Sequence, residues 1–369
     1  FIRFRLSPVG PDAGFEVLPT GLIGLNGNEF GEVEDYQVNV TDRIDDVIGR
    51  GRDGAWWVGI SNGDEFQEVR YGAWSKQIDW EDVMVAELNG EGADDIVGWD
   101  PDARRWMTSV TEYDDTIDQW KLVDKTFTVS GDPPESFEDA LAVDFNGDAE
   151  DEIVARDSAG NWYLTTYKGN FGETQVSGIP TREIFEHVMV GDYNGDGRED
   201  IVGRRPIFDD DGQPKVQWEV ITYTEVLDED GNPVLDDEGN PVEEFSSTPW
   251  ETLLDNDQST YSHVLTADAT GDGRDDILAR IASNGSWVLA VSRGSSDGSD
   301  RFQTKGWSGE FPDEPLLDVM VGDVDADGDE DLLAHTSSER WWVKIAEGDS
   351  ATNRSFGNWN TKNGFVDVN

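Results

Sequence analysis

Short apolar runs recur along the chain, each bracketed by acidic and glycine-rich positions. Val83-Met84-Val85, Val188-Met189-Val190 and Val319-Met320-Val321 each lead into an acidic turn. Such turns are followed by Ile96-Val97-Gly98, Ile153-Val154-Ala155, Ile201-Val202-Gly203, Ile277-Leu278-Ala279 and Leu332-Leu333-Ala334. Runs this short, apolar and bounded by turn residues predict strands. About ten residues further on comes a Trp-bearing run: Trp56-Trp57-Val58, Trp106-Met107, Trp162-Tyr163-Leu164, Trp287-Val288-Leu289 and Trp341-Trp342-Val343, with the fourth delayed to Trp218. Neighbouring side chains on a strand face opposite sides, so Trp56 beside Trp57 suits a sheet covered on both faces.

The turn joining the first two strands of each unit is a nine-residue acidic loop, present five times. The copies are Glu87-Leu-Asn89-Gly-Glu91-Gly-Ala-Asp-Asp95, Asp144-Phe-Asn146-Gly-Asp148-Ala-Glu-Asp-Glu152, Asp192-Tyr-Asn194-Gly-Asp196-Gly-Arg-Glu-Asp200, Asp268-Ala-Thr270-Gly-Asp272-Gly-Arg-Asp-Asp276 and Asp323-Val-Asp325-Ala-Asp327-Gly-Asp-Glu-Asp331. Oxygen-bearing side chains at positions 1, 3, 5 and 9, with small residues at 4 and 6, describe a tight turn around a hard cation, Ca²⁺ above all. Those four positions in each loop are the expected ligands, with a backbone carbonyl at position 7, giving about five structural sites. An EF-hand-type loop would need a carboxylate at position 12, where the third loop has Gly203. Asx and Gly turns without metal are the competing reading, but three or four converging carboxylates without a cation repel one another.

Position 9 serves as a ruler. Asp46, Asp95, Glu152, Asp200, Asp276 and Asp331 are separated by 49, 57, 48, 76 and 55 residues. Units of about 50 residues with about four short strands each predict an all-β protein, a β-propeller of six or seven blades. The unit ending at Asp46 is a degraded copy with Val38 and Val40 at positions 1 and 3, so no metal is expected there. The gap of 76 holds an acidic insertion at about 208–247, where Asp230-Gly231-Asn232-Pro233 and Glu238-Gly239-Asn240-Pro241 signal hairpins.

Charge narrows the partners. The 369 residues carry a formal net charge of −53, which repels nucleic acid and anionic membrane. With 36% hydrophobic residues, 15 of them Trp across the chain, a large core is within reach. Cysteine is absent, so no disulfide framework exists, and no apolar run is long enough to span a bilayer. The chain opens on Phe1 with no recognisable signal peptide, which suggests part of a longer polypeptide.

The loops at 192 to 202 and elsewhere resemble FG-GAP/VCBS repeats, found in integrin α-subunit propellers and in large bacterial secreted proteins. The resemblance covers roughly residues 36–369. It implies Ca²⁺ in the loops, a propeller that is usually seven-bladed, and extracellular adhesion or glycan-binding roles. Glu87, Glu91, Thr270 and Ala149 depart from the repeat's usual residues. Residues 1–40 differ: Gly31-Glu-Val-Glu-Asp-Tyr-Gln-Val38 is similar to the closing strand of a GEVED-type β-sandwich, and Phe1-Ile-Arg-Phe-Arg-Leu-Ser7 to an earlier one. The expected organisation is a partial sandwich over 1–40 and a propeller over 41–369. Phe365-Val-Asp-Val-Asn369 aligns with Leu317-Asp318-Val319-Met320, the strand that enters a metal loop.

No catalytic constellation is expected. His187 and His263 stand five residues before position 1, where other units carry Asp82, Asp139 and Asp318. His335 stands four after position 9, where others carry Arg50, Trp99, Arg156, Arg204 and Arg280. Such repeat-equivalent positions favour structural roles, and the Arg column is expected to bond between blades or to the acidic loops. Three function classes follow: a Ca²⁺-stabilised interaction or adhesion scaffold in a secreted or cell-surface bacterial protein; a lectin-like propeller stacking sugars on Trp74, Trp120, Trp307 or Trp359; and a polysaccharide-degrading enzyme. The first is preferred, with a protein or glycan partner.

Overall fold

The computed structural model describes residues 46–368 apart from 62–65, 91–93, 115–118, 127–133, 169–170, 177, 183, 209–210, 213, 229–231, 236–240, 251–259, 295–300, 308–310, 312–314, 339, 349 and 357–364. The described residues form six four-stranded antiparallel sheets, the blades of a β-propeller, and contain no helix. Blade 1 holds β1 (Val47–Gly51), β2 (Ala55–Ser61) and β3 (Phe66–Ala73). Blade 2 is β4 (Glu81–Ala86), β5 (Asp95–Asp100), β6 (Arg105–Asp114) and β7 (Gln119–Thr126). Blade 3 is β8 (Asp139–Val143), β9 (Glu152–Arg156), β10 (Trp162–Lys168) and β11 (Phe171–Val176). Blade 4 is β12 (Glu186–Gly191), β13 (Asp200–Phe208), β14 (Pro214–Glu225) and β15 (Glu243–Trp250). Blade 5 is β16 (Tyr261–Ala267), β17 (Asp276–Ile281), β18 (Trp287–Ser292) and β19 (Phe302–Trp307). Blade 6 is β20 (Leu316–Gly322), β21 (Asp331–Thr336), β22 (Trp341–Glu347) and β23 (Ser350–Ser355).

The last strand, β24 (Phe365–Val368), returns to blade 1 and pairs antiparallel with β1, Gly49 facing Val368 and Arg50 facing Asp367. It takes the place that β4, β8, β12, β16 and β20 hold in the other blades, where these strands follow one another around the axis. Of the six or seven blades expected, six are found, and the terminal strand completes the first. Residues 1–45, including the GEVED-like segment and Val38 and Val40 of the degraded copy, lie outside the described residues.

Apolar side chains converge in six clusters, each lying between neighbouring blades. Covering both faces of every sheet explains the doubled bulky residues. Trp56 and Trp341 are fully buried while Trp57 and Trp342 are half-buried on the opposite faces. One cluster joins Val47 and Trp57 of blade 1 to Met320, Leu333 and Val343 of blade 6, so packing closes the ring as well as strand pairing. Trp74 and Trp307 are 7% and 3% exposed. They are core residues, which corrects their candidacy as sugar platforms. Trp307 faces Trp287 across β18 and β19, and Trp74 packs edge-on to Trp56 at 5.3 Å. The Trp120 side chain and Trp359 lie outside the described residues.

The insertion in blade 4 is divided between the two ends of the sheet. At one end β13 and β14 run on as a hairpin to the Phe208 and Pro214 pair. At the other, Leu227 bridges Pro233 and Leu235 bridges Pro241, both antiparallel. Val234 donates its N–H to the Val226 carbonyl, Val242 to Val234, and Val226 to Val242, each at 2.8 Å, a closed three-way set of backbone hydrogen bonds.

Candidate metal centres

All five acidic loops stand at the same end of the propeller, since each joins the innermost strand of a blade to its neighbour. Position 1 follows the inner strand, and position 9 opens the next in every unit. Position 2 plugs the loop into the core: Leu88, Phe145, Tyr193, Ala269 and Val324 are each at most 3% exposed. The loop is thereby fixed at both ends and at its second residue.

Within a loop the position-1 carboxylate gathers the backbone. Asp192 accepts from the N–H groups of Gly195 at 2.7 Å, Asp196 at 3.1 Å and Gly197 at 2.8 Å. Asp144 accepts likewise from Gly147, Asp148 and Ala149 at 2.8, 3.2 and 2.9 Å. Asp268 accepts from Asp272 and Gly273, and Asp323 from Asp327 and Gly328. Position 5 then accepts from position 7 at 3.0 or 3.1 Å in loops two to five, through Asp148, Asp196, Asp272 and Asp327. In the first loop Glu87 accepts from the Asn89 N–H at 3.1 Å, and Glu91 lies outside the described residues.

Position 9 is the buried member. Asp95, Asp200, Asp276 and Asp331 are at most 1% exposed. In three of them Oδ1 is held by a backbone N–H of the third strand: Thr111 to Asp95 at 2.7 Å, Ser292 to Asp276 and Ala346 to Asp331 at 2.8 Å. The second oxygen of Asp276 is buried without a hydrogen-bond partner, as are Glu152 Oε2 and Asp325 Oδ1. Position 3 faces the same point, Asn194 Nδ2 lying 3.0 Å from Asp200 Oδ2 and Asn89 Nδ2 3.4 Å from Asp95 Oδ2. Rotating either amide would present its oxygen there instead.

Electrostatics follow from this crowding. Burial first, then the loop's other carboxylates, push Asp200, Asp276 and Asp331 up to about 8 and Glu152 up to about 7. The fifth loop is the tightest. Asp323, Asp325 and Asp327 each offer an oxygen within 4.8 Å of the others, while Asp331 stands outside that trio. Among the described residues no other loop gathers three carboxylates so closely. Only the fifth has an acid at position 3; the rest carry Asn89, Asn146, Asn194 and Thr270 there.

Position 8 was not read as functional from the sequence, yet it is acidic in every loop: Asp94, Asp151, Glu199, Asp275 and Glu330. Its carboxylate reaches the preceding loop. Asp151 Oδ2 accepts from Glu87 N at 2.8 Å, Glu199 Oε2 from Asp144 N at 2.9 Å, Asp275 Oδ2 from Asp192 N at 2.7 Å and Glu330 Oε2 from Asp268 N at 3.0 Å. Each of these position-8 residues also donates its own N–H to the carbonyl of the same position-1 residue, at 2.5, 2.9, 3.0 and 2.9 Å. The result is a two-bond clasp between successive loops.

The histidines and the repeat-equivalent Arg column lie at the opposite end of the blades. His335 stacks on Trp341 at 5.0 Å with Nδ1 3.1 Å from Asp318 Oδ2, His187 packs against Tyr261, and His263 against Trp287. Arg156 binds Asp139 and donates to the carbonyls of Arg182 and Phe185, in the connection to the next blade, at 3.0 and 2.9 Å. Arg204 pairs with Glu186 at 3.4 Å. The Arg column therefore bonds within and between blades, and its sites lie at the far ends of the second strands from the acidic loops.

The family model described as FG-GAP-like repeat matches residues 144–203, from position 1 of the second loop through the third loop and into β13. No curated protein matches the chain. The matched segment and the six blades together support a propeller of the FG-GAP type. Among the described residues no helix is long and apolar enough to cross a membrane.

Proposed function

We propose that this chain is a calcium-stabilised propeller module serving as an interaction or adhesion scaffold in a secreted or cell-surface bacterial protein, with a protein or glycan partner. The carrying observation is the set of buried carboxylate oxygens without donors, Glu152 Oε2, Asp276 Oδ2 and Asp325 Oδ1, all at ligand positions. Buried acceptors of this kind are costly unless a donor or cation meets them. The side chains at positions 1, 3, 5 and 9 would hold the ion, and its charge, when bound, allows the carboxylates of one loop to ionise together. Extracellular sites of this class work where calcium is abundant, at affinities of roughly 10⁻⁴ to 10⁻³ M.

The scaffold reading is favoured over the lectin reading because Trp74 and Trp307 are core residues. Metal analysis of the purified chain should find about five equivalents of calcium. Excess chelator should lower its melting temperature, since a ligand of the native state at 100 times its Kd stabilises by about 2.7 kcal/mol per site. A melt unchanged by chelator, with no calcium in the sample, would overturn the proposal.

A further inference from the structure

We infer that the position-8 clasp couples neighbouring loops, so that the ions enter as a linked array of sites. This rests on the calcium reading above. The clasp is repeated between loops one and two, two and three, three and four, and four and five. In each case it fixes both backbone groups of a position-1 residue, and in loops two to four that residue's carboxylate organises its whole loop. The clasping residue stands between positions 7 and 9 of its own loop, both expected to face the ion. Ordering one loop therefore sets the root of the preceding loop, and reciprocity makes the effect run both ways.

Two further contacts join the same pairs. Position 7 lies across position 4 of the preceding loop: a Cβ at Gly147 would meet Arg198 Cγ at 3.5 Å, and one at Gly195 would meet Arg274 Cγ at 3.0 Å. Between loops three and four there is also a hydroxyl link. Ser292, whose N–H is held by the position-9 residue Asp276, donates Oγ–H to the Tyr193 carbonyl at position 2 of the third loop. The same link crosses from blade 1 to blade 6, where Ser61 donates its N–H to Asp46 and its hydroxyl to the Val324 carbonyl.

Calcium titration calorimetry of the whole chain tests this. Asp327→Ala removes a ligand from the fifth loop and leaves every clasp residue in place. Coupling requires the loss of one equivalent and, in addition, an affinity at least about 5-fold weaker at a second site. Glu330→Ala leaves all eight side-chain ligands of loops four and five and breaks the carboxylate half of their clasp. In that background Asp327→Ala should remove its own equivalent alone, closing a double-mutant cycle. Asp151→Ala, paired with the second-loop ligand variant Asp148→Ala, repeats the clasp test between the first two loops should Glu330→Ala fail to fold. If Asp327→Ala costs one equivalent and the other sites keep wild-type affinity, the coupling is refuted and the calcium reading stands. If the wild-type chain takes up no calcium, the calcium reading itself falls.

Discussion

The position-9 carboxylates make the metal-free protein sensitive to pH in an unusual direction. Their folded-state pKa values are raised to about 8 at Asp200, Asp276 and Asp331, above the ordinary value of about 3.9. The folded chain then binds more protons than the unfolded one between those limits, so its stability falls as pH rises through the window. In chelator the melting temperature should drop between pH 5 and about 8; with saturating calcium that slope should flatten. A metal-free melt that rises over this range would contradict it. Backbone strain gives a second expectation at this scale. Gly195 has φ +78° and a neighbouring side chain where a Cβ would stand, so Gly195→Ala should cost about 1–2 kcal/mol in a thermal melt. The acidic loops were legible in the sequence because their repeated positions lie within nine residues of one another. The clasp was not, although its acidic column was in plain view, because its partners are 55 to 83 residues away.

Strand positions were legible for the same local reason, and the Trp-bearing third strand stands where the pattern placed it. What the pattern missed was the fourth strand's share of the core. Trp250 and Trp307 end their strands facing Trp218 and Trp287, and a Trp at the end of a short polar run reads as exposed when its cross-strand partner is unknown. Trp218 is fully buried between blades 4 and 5, so Trp218→Ala should destabilise by about 3–5 kcal/mol in chemical denaturation. The insertion should behave oppositely. Glu225 and Glu243 face each other at its base and Arg198 binds Glu243 at 2.7 Å from outside it. Its own backbone bonds join Val226, Val234 and Val242 to one another. Replacing residues 226–242 by Asn-Gly, which suits a two-residue hairpin turn, should leave the melting temperature within a few degrees of wild type. A large loss would assign the insertion a structural role.

For the molecule as a whole, the non-local pairing of β1 with β24 completes blade 1, beside the packing of that blade on blade 6. Deleting β24 exposes the β1 edge and should lower the melting temperature while broadening the calorimetric transition, because blade 1 then lacks its inner strand. An unchanged, equally sharp transition would show that packing against blade 6 suffices. That a terminal strand would complete a blade was foreseeable from its likeness to the strand entering a loop; which blade it joins was not, since pairing across more than three hundred residues leaves no trace in local spacing. Vectorial synthesis gives this pairing a temporal meaning. Blades 2 to 6 are contiguous meanders that can form as they emerge, whereas β1 is made before them and its partner β24 only after them. Until then the nascent chain carries an open strand edge, and any cellular factor that shields such edges has its longest task at the first blade.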